Sequence, residues 1–140
     1  MASEIESLDR DGGFGEPIIN AYGGRSLHEQ SPGESFLSLI THRFRGHGLY
    51  ILDEPEAALS PNKQLLIIRR MRELVLQDSQ FIIATHSPIL LAYPNAKILL
   101  LDDSGYKQVK YEDTAHYQLT RRFLNDPQGM LKSEIGRAHV

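Results

Sequence analysis

No cysteine occurs among the 140 residues, so a disulfide framework and a thiolate zinc site are both excluded. A reducing compartment is permitted, and the cytoplasm is the expected location. No apolar run approaches the roughly 20 residues that a membrane-crossing helix needs, and the amino terminus lacks the basic-then-apolar pattern of a secretory leader. Positive charge is not in excess either: 15 basic residues against 18 acidic ones give a net charge of -3. Broad nucleic-acid binding is therefore unsupported, though a local basic patch is not excluded. A further absence is more specific. Gly12, Gly13, Gly15, Gly23 and Gly24 invite a search for the Gly-x-x-x-x-Gly-Lys-Ser/Thr loop that cradles phosphates. None is present: at Gly24-Arg25-Ser26, Ile19 occupies the first glycine position and arginine replaces lysine. Residues 1–24 read instead as a flexible, glycine-containing lead-in.

What is present suits one domain or a large piece of one, with 41% of residues hydrophobic. The organising stretch is Gly48-Leu49-Tyr50-Ile51-Leu52-Asp53-Glu54-Pro55. Its four consecutive apolar residues predict a central parallel strand covered on both faces. In open α/β sheets ligands lie at the carboxyl ends of the strands, which is where Asp53 and Glu54 would be delivered. The bland alternative is a strand ending in a solvated acidic turn. A second strand, Gln80 to Thr85, runs into His86-Ser87-Pro88, which puts His86 at a strand's carboxyl edge as well. A lone histidine there is more often a satisfied loop residue, and His28, His42, His47, His116 and His139 read as surface or helix-boundary residues without metal-ligand spacing.

Helix signals surround these strands. Ser31 as N-cap, Pro32 at the first helical position and Glu34 closing a capping box predict a helix carrying Phe36, Leu37, Leu39 and Ile40. Ser60 and Pro61 open another, to about Gln77, with Leu65, Ile68, Met71 and Val75 as its buried stripe. Ala96 to Asp102 and Tyr106 to Tyr111, joined at Asp103-Ser104-Gly105, predict a hairpin. Asp113 is expected to cap a helix from Thr114 to Leu124 whose Arg121 and Arg122 form a solvated face. Glu134 to Val140 extends no periodicity and fits no element. Its codons can be spelled by a common library adapter, so residues 132–140 are expected to be a non-native tail.

Taken in order, these segments resemble the carboxyl-terminal part of an ABC-type or AAA-family ATPase over residues 25–131. Ser31, Gly33 and Glu34 match the serine, second glycine and last position of the ABC signature loop, with glutamate as in its SMC and DNA-repair branch. Pro32 departs from the first glycine and Gln30 from the leucine. Leu49 to Glu54 resembles Walker B, Pro55 to Ser60 the D-loop, with Ser60 where an aspartate is usual, and His86 the switch histidine. The resemblance implies an α/β fold of three layers, a P-loop NTPase-like sheet with flanking helices, present here in its carboxyl-terminal part only. It further implies ATP and Mg²⁺ as ligands, Asp53 holding the metal and Glu54 deprotonating the attacking water. His86 would contact the γ-phosphate. Ser31, Gly33 and Glu34 would reach the γ-phosphate of an opposite subunit in an ATP-dependent homodimer, with Ser60 in the D-loop. Without a phosphate-cradling loop, this chain alone is expected to be inactive. Two other readings stand beside that one: an ATP-binding subunit of an ABC transporter, and a non-catalytic interaction domain.

Overall fold

The computed structural model describes residues 31–138, with side chains through 136; the glycine-rich lead-in, Gln30, His28 and His139 lie outside them. The chain divides into two compact units between Thr85 and His86.

In the first unit, helix α1 (Pro32–His42) starts as its residues dictate. The Ser31 hydroxyl accepts from the Glu34 backbone N–H at 3.2 Å, and the Glu34 carboxylate accepts from the Ser31 N–H at 3.3 Å. Two of the backbone donors orphaned at a helix start are thereby satisfied. Strand β1 (Leu49–Asp53) follows, then a 3₁₀ turn (Pro55–Ala58), helix α2 (Pro61–Val75) and strand β2 (Gln80–Ala84). β1 and β2 pair in parallel, Leu49 opposite Gln80 through Asp53 opposite Ala84. Such a pairing needs a crossover, and α2 supplies it. α1 packs on α2 and α2 on β2. The core between them comprises Phe36, Ile40, Leu59, Ile67, Met71 and Leu74, each aliphatic side chain contributing about 1.5–3 kcal/mol by burial. Arg70 fastens the two helices: its Nε donates to the Ile40 carbonyl at 3.1 Å and Nη2 to that of Phe44 at 3.0 Å, both at the end of α1 where carbonyls lack intrahelical donors. The link into β1 is held by Tyr50, which stacks on Phe44 with ring centroids 4.0 Å apart and donates its hydroxyl to the Arg45 carbonyl at 2.7 Å.

Two expectations are corrected in this unit. The buried stripe of α2 is Gln64, Ile67, Met71 and Leu74, while Leu65 and Val75 are exposed. Both sets have helical spacing, and only packing chooses the phase. Gln64 takes a core position because its side-chain amide donates to the Leu59 carbonyl at 3.2 Å. Among the described residues, β1 is also not covered on both faces. Tyr50 and Leu52 are half-buried, whereas Leu49 and Ile51 are 60% and 72% exposed. The described sheet has two strands, and no described element of this unit covers its second face.

The second unit starts at His86. The Ser87 hydroxyl accepts from the backbone N–H of Ile89 at 3.2 Å and of Leu90 at 3.1 Å, opening a short 3₁₀ turn, Leu90–Ala92. Strands β3 (Ile98–Asp102) and β4 (Gly105–Val109) form the expected hairpin, closed by Asp103 and Ser104. Gly105 has φ 126°, which a Cβ would strain. Hydrogen bonds from the Ser104 side chain and backbone hold the Asp102 carboxyl below its ordinary range. Both strands are largely exposed. A 3₁₀ turn, Tyr111–Asp113, leads into helix α3 (Ala115–Asn125). Its cap is Thr114 rather than Asp113, since the Thr114 hydroxyl accepts from the Tyr117 N–H at 3.1 Å and Asp113 is engaged in the preceding turn. Burial raises the Tyr111 hydroxyl above its ordinary value. Finally, helix α4 (Pro127–Ala138) corrects the expectation that the tail fits no element. Pro127 is preset for a first helical turn, and Asp126 accepts from the Gly129 N–H at 3.0 Å. Leu131 and Ile135 on α4 are exposed.

Candidate functional site

Asp53 closes β1 and Glu54 follows it, both exposed, at the carboxyl end of a parallel pair. The Glu54 N–H donates to the Ala84 carbonyl at 2.7 Å, so β1 and β2 stay joined one residue beyond the strand. There the chain turns abruptly. Glu54 has φ 47° and ψ 53°, the left-handed region that side chains with a Cβ rarely occupy. Its carbonyl accepts from the Ala57 N–H at 3.1 Å, and Pro55 opens the 3₁₀ turn.

That turn is tied back to β2. The Thr85 hydroxyl donates to the Glu56 carboxylate at 2.7 Å, across 29 residues of sequence. The turn is also abutted by α1: Gly33 is buried, and a Cβ there would collide with the Ala58 carbonyl oxygen. Glycine at this position is a packing necessity whatever else it does. The structure therefore places Gly33 beside the turn that follows Asp53 and Glu54. Ser31 and Glu34 are exposed at the amino terminus of α1, engaged with each other in the capping box. Ser60, at the far end of the turn, caps α2 by accepting from the Lys63 N–H at 3.3 Å.

His86 opens the second unit two residues past β2. Its Nδ1 lies 3.1 Å from Nε2 of His116, the second residue of α3. The two imidazoles are 5.3 Å apart, with planes inclined by 29°. Sequence reasoning missed both this pair and the Glu56–Thr85 bond. His86 and His116 are 30 residues apart in no recognisable motif, and nothing local marks His116. Among the described residues, no three His, Cys, Asp or Glu side chains cluster closely enough to hold a metal ion, and no helix is long and apolar enough to cross a membrane.

Residues 9–92 match the family described as "AAA domain, putative AbiEii toxin, Type IV TA system", a span that takes in Ser31, Asp53, Glu54, Ser60 and His86. The chain is 34% identical over 86 residues to an "Uncharacterized ABC transporter ATP-binding protein" of Haemophilus influenzae. The aligned residues make up 60% of this chain and 33% of that protein, so the chain spans about a third of its relative's length. No solved structure matches it. With the family matched over well more than half of its residues, the chain belongs to the AAA/ABC-type P-loop ATPases.

Proposed function

We propose that this chain carries the signature, Walker B, D-loop and switch-histidine portion of an ATP-hydrolysing enzyme with a three-layer P-loop NTPase fold. The Gly-x-x-x-x-Gly-Lys-Ser/Thr loop, absent from residues 1–140, is supplied elsewhere in the complete protein, and the present chain alone is inactive. One observation carries the reading above the rest: an Asp-Glu pair stands at the carboxyl end of a parallel strand, with the glutamate held in a left-handed backbone conformation.

In this reading Asp53 is the Mg²⁺ ligand. The residues suit that metal, because Mg²⁺ takes oxygen donors and commonly binds through one or two carboxylates together with phosphates and water, without an all-protein cage. When bound, it neutralises charge on the phosphates. Glu54 accepts the proton of the attacking water at a carboxylate oxygen. His86 contacts the γ-phosphate. Ser31, Gly33 and Glu34 meet the γ-phosphate held by a second copy in an ATP-dependent homodimer, and Ser60 lies in its D-loop. The test lies in the difference between the two acids. In the complete protein, Asp53→Asn should weaken Mg²⁺-dependent nucleotide binding at least tenfold by calorimetry, in keeping with loss of a charged ligand, while Glu54→Gln binds as wild type. Equal effects of the two substitutions would remove the division of roles.

The name of the Haemophilus influenzae relative favours a second reading, the ATP-binding subunit of a transporter. Pro32 and the Glu-Pro-Glu sequence at Glu54 disfavour it. Neighbouring permease genes, and co-purification with their membrane products, would establish it.

A further inference from the structure

From the pairing of His86 with His116, we infer that His116 is a positioning residue that orients His86 and, once phosphate is bound, stabilises the tautomer that donates to it. The inference rests on the proposed role of His86 and adds a residue that the signature, Walker B, D-loop and switch-histidine motifs do not contain.

Only one hydrogen fits between two imidazole nitrogens 3.1 Å apart, so one ring must donate and the other must accept. Two neutral arrangements satisfy this. If His86 donates from Nδ1, its Nε2 carries a lone pair, which repels an anionic oxygen. If His116 donates from Nε2, His86 accepts at Nδ1 and holds its own hydrogen on Nε2, where it can be donated to phosphate. An anionic ligand at Nε2 therefore selects the second arrangement, and His116 stabilises it through the opposite nitrogen. A neighbour that fixes the tautomer and orientation of a working imidazole is a general device.

The surroundings hold His116 in place for this. It lies in the first turn of α3, whose cap Thr114 is buried and donates its hydroxyl to the Tyr111 carbonyl at 2.8 Å. Tyr111 in turn donates its hydroxyl to the Pro88 carbonyl at 2.5 Å. That bond braces the start of α3 against the segment that begins with His86, and the buried Ser87 fixes the turn between them. With the nitrogens 3.1 Å apart and the ring centroids 5.3 Å apart, the two imidazoles meet edge to edge, as a hydrogen bond between ring nitrogens requires.

Nuclear magnetic resonance on the ¹⁵N-labelled 140-residue chain tests the geometry, at a pH above 8 where ordinary imidazoles are neutral. A scalar coupling across the hydrogen bond between His86 Nδ1 and His116 Nε2 is expected, whichever ring donates in the absence of nucleotide. His116→Phe should abolish the coupling and move the His86 Nδ1 resonance toward that of an unbonded nitrogen. His116→Gln, whose amide can donate from the same place, should move it back. In the complete protein, His116→Phe should lower Mg-ATP turnover on the order of tenfold, and His116→Gln should restore most of it. Absence of the coupling, or a His86 spectrum indifferent to His116→Phe, would overturn the positioning role. If the coupling is present but His86→Ala turns over ATP at the wild-type rate, the fault lies with the phosphate reading of His86, and the inference falls with it.

Discussion

A glutamate at φ 47° is held against its own preference, at a cost of roughly 1–2 kcal/mol relative to the right-handed region. Strain of this kind persists where surrounding structure over-determines it, and it concentrates at functional sites. At Glu54 the determinants are visible: the hydrogen bond to Ala84 before the turn, the Pro55 start of the 3₁₀ turn, and the Thr85–Glu56 bond after it. The stability consequence runs opposite to the usual ranking of small residues. Glu54→Gly removes the Cβ and its strain, whereas Glu54→Ala keeps both. The glycine variant should therefore be about 1 kcal/mol more stable than the alanine variant in urea unfolding, net of the entropy that glycine loses on folding. An alanine variant as stable as the glycine one would mean that the position carries no strain. Gly33 shows the complementary case, a residue selected by the space beside the Ala58 carbonyl rather than by its φ.

For α1, the capping role and the proposed phosphate role of Ser31 share one hydroxyl and come apart on mutation. Loss of the cap costs about 1 kcal/mol. A bulky cation at the same place would also obstruct a second subunit. Ser31→Arg in the complete protein should thus abolish ATP turnover while leaving nucleotide affinity of the monomer nearly unchanged. Parallel loss of affinity and turnover would reduce Ser31 to a helix cap. Elements were legible where the determinants are local. The Ser31–Glu34 box, the Ser60-Pro61 start of α2 and the Asp103-Ser104 hairpin need only a few adjacent residues, and they formed as expected. Features decided by distant neighbours were not legible. The phase of α2 depends on α1 and β2, the exposure of Leu49 and Ile51 on what lies over the sheet, and the His86–His116 pair on where α3 begins. The carboxyl-terminal α4 was hidden for another reason, since an exposed helix has no periodic burial to announce it.

At the scale of the whole molecule, the chain is an α/β protein of the AAA/ABC-type ATPase family that spans about a third of its Haemophilus influenzae relative. It presents a pair of acids at a strand end but encodes no loop of backbone N–H groups to neutralise phosphates, the feature that provides most of the grip on nucleotide in such enzymes. Calorimetry on the 140-residue chain with Mg-ATP should accordingly show no micromolar binding, and micromolar affinity would relocate the phosphate site to the glycine-rich start. The most direct test of the account concerns Glu54 in the complete protein. Glu54→Gln retains size and hydrogen-bonding capacity while removing the base, so ATP should bind and remain uncleaved, with turnover lower by on the order of 10²–10⁴ and an ATP-stabilised dimer visible by size-exclusion chromatography with light scattering. Hydrolysis by Glu54→Gln at the wild-type rate would contradict the account, leaving Asp53 and Glu54 as the acidic end of a strand.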